Sequence, residues 1–186
     1  MKKLQIGDKR PLIVSIILTL AFINPIVEEL MFSEEPVFMA SHYALVFAGA
    51  LVGYYYWGKN IRLSLLGYLG AVLVVVWHLP QLFVLGGAEV PFRALDELSL
   101  FLGGALLGIG VRNMRLIEKL LLLVLWMIGD TTLAVVLIIS YPFYTIPPSP
   151  YTLSQEPLTG YVMVIAMTFV LGYLVFKGFQ NLNIFG

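Results

Sequence analysis

The chain has no cysteine and two histidines in 186 residues, and charged side chains make up only 12% of it. Without cysteine there is no disulfide, no thiolate metal site and no cysteine nucleophile. A formal net charge of zero removes the electrostatic footprint of a nucleic-acid binder, so no nucleic-acid partner is expected. Catalytic machinery is scarce too, and the sequence reads as a non-enzyme. What is abundant is apolar surface: 60% of residues are hydrophobic and mean hydropathy is +0.92. A soluble domain carries roughly 45–50% apolar and about 25% charged residues. This excess does not fit inside one soluble core.

The apolar residues come in long runs, and a bilayer core about 30 Å thick asks for roughly 20 of them per helix. Six spans are expected, near residues 11–27, 37–57, 63–85, 95–111, 117–141 and 158–176. The predicted fold is therefore all-α, a single polytopic membrane helix bundle covering residues 1–186.

Basic residues set its orientation, because cytoplasmic loops carry the excess of Lys and Arg. Lys2, Lys3, Lys9 and Arg10 precede the first span, and Lys59 and Arg62 separate the second from the third. Arg112, Arg115 and Lys119 separate the fourth from the fifth, and Lys177 follows the sixth. Those are ten of the eleven basic residues, all at alternate ends. Only Arg93 falls on the other side, with Glu28, Glu29, Glu34, Glu35, Glu89, Asp96, Glu97 and Glu156. Both termini are therefore expected in the cytoplasm, in a multi-pass protein of the cell membrane. The first span has the basic flank of a signal peptide but no small-residue cleavage site after it, so a retained anchor is expected.

Gly49 and Gly53, and Gly104 and Gly108, have the small-xxx-small spacing that lets helix backbones approach closely in lipid. Pro142, Pro147, Pro148, Pro150 and Pro157 concentrate in the loop before the last span, which reads as an ordered lid or docking surface.

Ionisable groups inside a span are costly and are functional candidates by default. Three stand out: His42, His78 and Asp130. His42 lies just inside the outer end of the second span and His78 just inside the outer end of the third. Both are roughly 7–10 Å deep at about 1.5 Å per residue. Consecutive helices usually neighbour each other, so the two imidazoles can face one another as metal ligands. Met39 precedes His42 by one helical turn, and Met163 and Met167 enter at the same level. Imidazole with thioether is a soft set that favours Cu(I). The plain alternatives are a core-filling methionine and a histidine bonded to a backbone carbonyl. Pro80 is expected to kink the third span and free a carbonyl near Val76. Asp96 and Glu97 read as helix N-terminal charges, with Arg93 placed to pair with Asp96. Asp130, beside Thr131 and Thr132, reads as structural.

Trp77-His78-Leu79-Pro80-Gln81-Leu82-Phe83, followed by Ala94-Leu95-Asp96-Glu97-Leu98-Ser99 and a glycine-rich helix, resembles the CtaG family, membrane proteins needed to assemble caa-type cytochrome c oxidase. Phe38-Met39-Ala40-Ser41-His42 stands where that family has its earlier histidine motif. The resemblance covers residues 30–112. Size and layout are also similar to small archaeal membrane families of unknown function. Tyr43 and Val46 stand where the family has methionine and a second histidine; Arg93 and Glu97 replace two further histidines, and Asp96 a glutamate. The resemblance implies copper handling at the outer face for a respiratory terminal oxidase, with His42 and His78 as ligands and Met39 or Glu97 as a third. The alternatives are a small b-type haem subunit with His42 and His78 as axial ligands, and a non-catalytic subunit of a larger membrane complex. Glu28-Glu29 followed by Phe38-x-x-x-His42 is also similar to glutamate-type intramembrane proteases. Ser33 occupies their arginine position and no helix is expected between the two motifs, which sets that family aside.

Overall fold

The computed structural model describes residues 9–181, with side chains to Lys177; Lys2 and Lys3 of the N-terminal basic group lie outside that range. Among the described residues there are eight α-helices and one 3-10 turn, and no strand. They are α1 (Arg10–Phe22), α2 (Pro25–Met31), α3 (Glu35–Tyr55), α4 (Leu65–Val76), α5 (Pro80–Ala88), α6 (Val90–Asn113), α7 (Leu116–Ile138) and α8 (Glu156–Asn181). Four helices are long and apolar enough to cross a membrane: α3 with its following 3-10 turn, α6, α7 and α8. Counting each of two bent pairs as one span brings the number to six.

Both bends are written in X-Pro steps. A residue before proline is pushed out of the helical region, while proline itself suits a first helical turn. Asn24 is extended (φ −149°, ψ 153°), and its side chain accepts from the Val27 amide at 3.2 Å, capping α2. The chain turns 60° there. Leu79 is likewise extended (φ −69°, ψ 137°) ahead of Pro80, and α4 and α5 diverge by 68°. Pro80 thus starts a new helix instead of kinking a continuous one. The carbonyl near Val76 is not left open, since it accepts from the Leu79 amide at 3.2 Å. The carbonyl that needs an outside partner is that of His78.

The sixth helix begins at Val90, ahead of the expected 95, with Glu89 at its N-cap and Pro91 in its first turn. That moves Asp96 and Glu97 a full turn or more inside the helix. They are not helix-end charges, and both are buried.

α3 and α6 form the central pair. The glycines of the two small-xxx-small motifs lie against the opposite backbone: Gly49 on the Phe101 carbonyl, Gly53 on that of Ala105, Gly104 on that of Val46 and Gly108 on that of Ala50. A side chain at any of these positions would separate the helices. α1, α4 with α5, and the α7–α8 pair pack around this centre. Apolar side chains cover the outer faces of α1, α7 and α8, among them Ile17, Leu125 and Phe169, as lipid contact requires.

Candidate functional site

The polar groups converge at the end of the bundle where α2 and α5 stop and α3, α6 and α8 start. His42, fully buried on α3, directs Nδ1 to the Phe38 carbonyl at 2.8 Å. His78, in the break after α4, directs Nδ1 to the Val74 carbonyl at 2.9 Å. A carbonyl only accepts, so each Nδ1 carries a proton. In the neutral ring each Nε2 then holds a free lone pair. The two rings meet edge to face with centroids 5.1 Å apart. Phe38 packs edge-on against His42, and Phe83 lies alongside it. Asp96 of α6 brings Oδ2 to 3.3 Å from His42 Nε2, in a site where both side chains are almost wholly shielded. Neither His42 Nε2 nor either Asp96 oxygen has a hydrogen-bond partner.

Arg93 lies one turn before Asp96 and is 2% exposed. Its Nε donates to the Gly86 carbonyl at 2.6 Å, and Nη2 donates to those of Met31 and Gly87 at 3.1 Å each. Nη1 stands 3.7 Å from Glu28. Phe32 and Phe38 stack on the guanidinium at 4.4 and 4.3 Å. This is the planar, multiply bonded use that distinguishes arginine from lysine. The carbonyls it binds are those left over at the C-terminal ends of α2 and α5. The expected Arg93–Asp96 ion pair is thus replaced by one with Glu28. Glu97 adjoins Glu28 and lines an apolar groove with Thr19, Ile23 and Phe101.

The proline-rich loop after α7 covers this end as an ordered lid. Tyr144 and Tyr151 are buried and pack on Phe83. The Tyr144 hydroxyl donates to the His78 carbonyl at 2.9 Å, and that of Tyr151 to the Met31 carbonyl at 2.6 Å. Burial, with Glu156 and Glu35 nearby, pushes the Tyr144 hydroxyl up to about 12, and burial raises that of Tyr151 as well. Both remain proton donors at neutral pH.

The two histidines are therefore brought together, with Asp96 as the adjoining carboxylate in place of Glu97. Met39, Met163 and Met167 do gather at this level, inside an apolar cluster with Met31, Phe83 and Leu137. Among the described residues no three His, Asp or Glu side chains are grouped to hold a metal ion as they stand. Asp130 bonds to Tyr43, whose hydroxyl donates to Oδ2 at 2.7 Å and joins α7 to α3. Tyr43→Phe should lower stability by about 1–3 kcal/mol, the cost of leaving one buried acceptor unmet. Thermal unfolding in detergent would measure it, and a neutral result would mean water replaces the hydroxyl.

Sequence reasoning missed Arg93, Asp96, Glu35 and Glu156 as interior groups. One signal was present: Arg93 is the single basic residue outside the alternating charge pattern, as a buried arginine would be.

Four to six membrane-length helices with a shielded group of ionisable side chains at one end place the chain in the class of polytopic membrane proteins. Within that class, the chain belongs to the family described as "Protein of unknown function (DUF1404)", whose model matches residues 13–181. No curated protein and no solved structure matches it.

Proposed function

We propose that the chain is a six-span accessory protein of the cell membrane, with both termini cytoplasmic, that binds copper between His42 and His78 at its outer face and serves the assembly of a respiratory terminal oxidase. The observation that carries the copper site is the pair of Nδ1 bonds to helix carbonyls. Metal-binding histidines are commonly held this way, with the far nitrogen left free for the ion. The unpartnered, buried His42 Nε2 and Asp96 carboxylate fit a cation. Copper would supply a redox-active, transferable ion. The chain's own groups would orient both rings, offer a carboxylate counter-charge and keep water out beneath Tyr144 and Tyr151. Charge alternation along the loops supports the orientation. The CtaG resemblance supports the oxidase role.

A b-type haem is favoured less. A porphyrin would have to separate the two imidazoles, which are in edge contact and hemmed in by Phe38 and Phe83.

The test is the copper and iron content of the detergent-purified chain by elemental mass spectrometry, before and after Cu(I) loading under reducing conditions. Copper near one per chain, absent from His42→Ala and His78→Ala variants that still fold, is the expected result. Iron in its place would support the haem subunit. Neither metal, with variants that are merely less stable, would leave a structural subunit and overturn the proposal.

A further inference from the structure

Two carboxylates at the same end of the bundle have nothing to neutralise them. Glu35 opens α3 and Glu156 opens α8, and both side chains are 0% exposed. None of their four oxygens has a hydrogen-bond partner. Gln155, next to Glu156, donates to the Ser33 carbonyl at 2.8 Å and to Glu34 at 3.5 Å, which brings the starts of α3 and α8 side by side. Arg93 is engaged by Glu28 and by the carbonyls of Met31, Gly86 and Gly87. A helix N-terminus favours negative charge, but not enough to hold two unpaired carboxylates out of water. Two hydroxyls adjoin them. Thr159 lies beside Glu35 and gives its own proton to the Gln155 carbonyl at 3.2 Å, which leaves its oxygen lone pairs available. Thr145, from the lid, lies beside Glu156.

We propose that Glu35 and Glu156, with the hydroxyls of Thr145 and Thr159, bind a divalent cation of the hard, oxygen-seeking class, Ca²⁺ above others. Two carboxylates balance a double positive charge. The set is all oxygen, with no nitrogen or sulfur, and so differs in kind from the histidine site. Ca²⁺ takes about 6–8 oxygens in adaptable geometry, whereas Mg²⁺ demands a near-regular octahedron. Donors from two helix starts and a loop suit the adaptable ion, and backbone carbonyls or water complete its shell. The ion joins α3, α8 and the lid at one point. Tyr144 feels the charge of both carboxylates and also holds the His78 carbonyl, so occupancy of the oxygen site steadies the cover over the histidines.

Tb³⁺ serves as a luminescent stand-in for Ca²⁺. In the chelator-stripped full chain in detergent, exciting tyrosine should produce Tb³⁺ emission that Ca²⁺ displaces and that falls in Tyr144→Phe. Ca²⁺ at a hundredfold excess over its Kd should raise the thermal midpoint by roughly 5–10 °C. Glu35→Gln and Glu156→Gln should each lose both responses. Should those variants fail to fold, displacement of Tb³⁺ by Ca²⁺ in the wild-type chain decides the matter alone. A wild-type chain indifferent to Ca²⁺, Mg²⁺ and chelator, with Gln variants more stable than it, would mean that the pair shares protons and would overturn the proposal. Full responses retained in both Gln variants would overturn it as well.

Discussion

Arg93→Ala is expected to cost roughly 3–5 kcal/mol, the range for removing one partner of a buried charge interaction. The substitution strips three carbonyls of their donor, at Met31, Gly86 and Gly87. It also leaves Glu28 without its counter-charge, next to Glu97. Stacking on Phe32 and Phe38 is lost as well. Arg93→Lys should recover little, because a point charge on a flexible stem does not reproduce a planar fork aimed at three acceptors. Arg112 offers the contrast. It is only partly buried and gives one hydrogen bond, to the Tyr54 carbonyl at 2.8 Å, so Arg112→Ala should cost about 1 kcal/mol. Thermal unfolding and the monodisperse fraction on size exclusion, for all three variants in one detergent, would show the ranking. Equal stability of Arg93→Ala and wild type would mean that water or lipid headgroups satisfy those carbonyls.

Gly104→Val should also be strongly damaging. The added Cβ lands on the Val46 backbone, and the contact atom is a carbonyl oxygen that cannot swing aside. Overpacking a well-filled interior typically costs about 1–3 kcal/mol, and occasionally more. Here the whole α3–α6 seam must open, so the upper end or beyond is expected. Gly129, on exposed α7, has open space where a methyl group would sit, with nothing within 4 Å, so Gly129→Ala should stabilise the helix by about 0.5–1 kcal/mol. Opposite signs for the two substitutions, read as shifts of the unfolding midpoint, would confirm that the seam and not helix propensity governs the first. A well-folded Gly104→Val would mean that the seam is looser than these contacts imply.

The apolar helices and the close backbone approach at the glycine motifs were legible because both depend on local pattern, whereas which helix meets which was not. A run of apolar residues reports a span, and glycine spaced by four reports a backbone that must be approached. The matched depth of His42 and His78 was legible, but what brings the rings together was not: α3 and α4 each pack chiefly on α6 and not on one another. Apart from Asp130, the interior carboxylates were not legible. Glu35 and Glu156 follow turn residues and precede prolines, so the sequence places them at the mouths of helices. Only the lid folding back over that end removes them from solvent. Asp96 was misplaced for a related reason. A window that marks where hydropathy rises puts the helix start near 95, but the helix starts at Val90 by proline geometry, before it becomes apolar. The partner of Asp130 was hidden because Tyr43 is 87 positions away, and nothing local to either residue points to the other.

The guanidinium of Arg93 also orders events during synthesis. It closes the ends of α2 and α5, yet it belongs to α6, which leaves the ribosome after both. Until residue 93 is in place, the carbonyls of Met31, Gly86 and Gly87 lack their donor, and the ends of α2 and α5 are not closed. The first half of the chain therefore waits on the second. Insertion of α6 is the step that gives those carbonyls their donor.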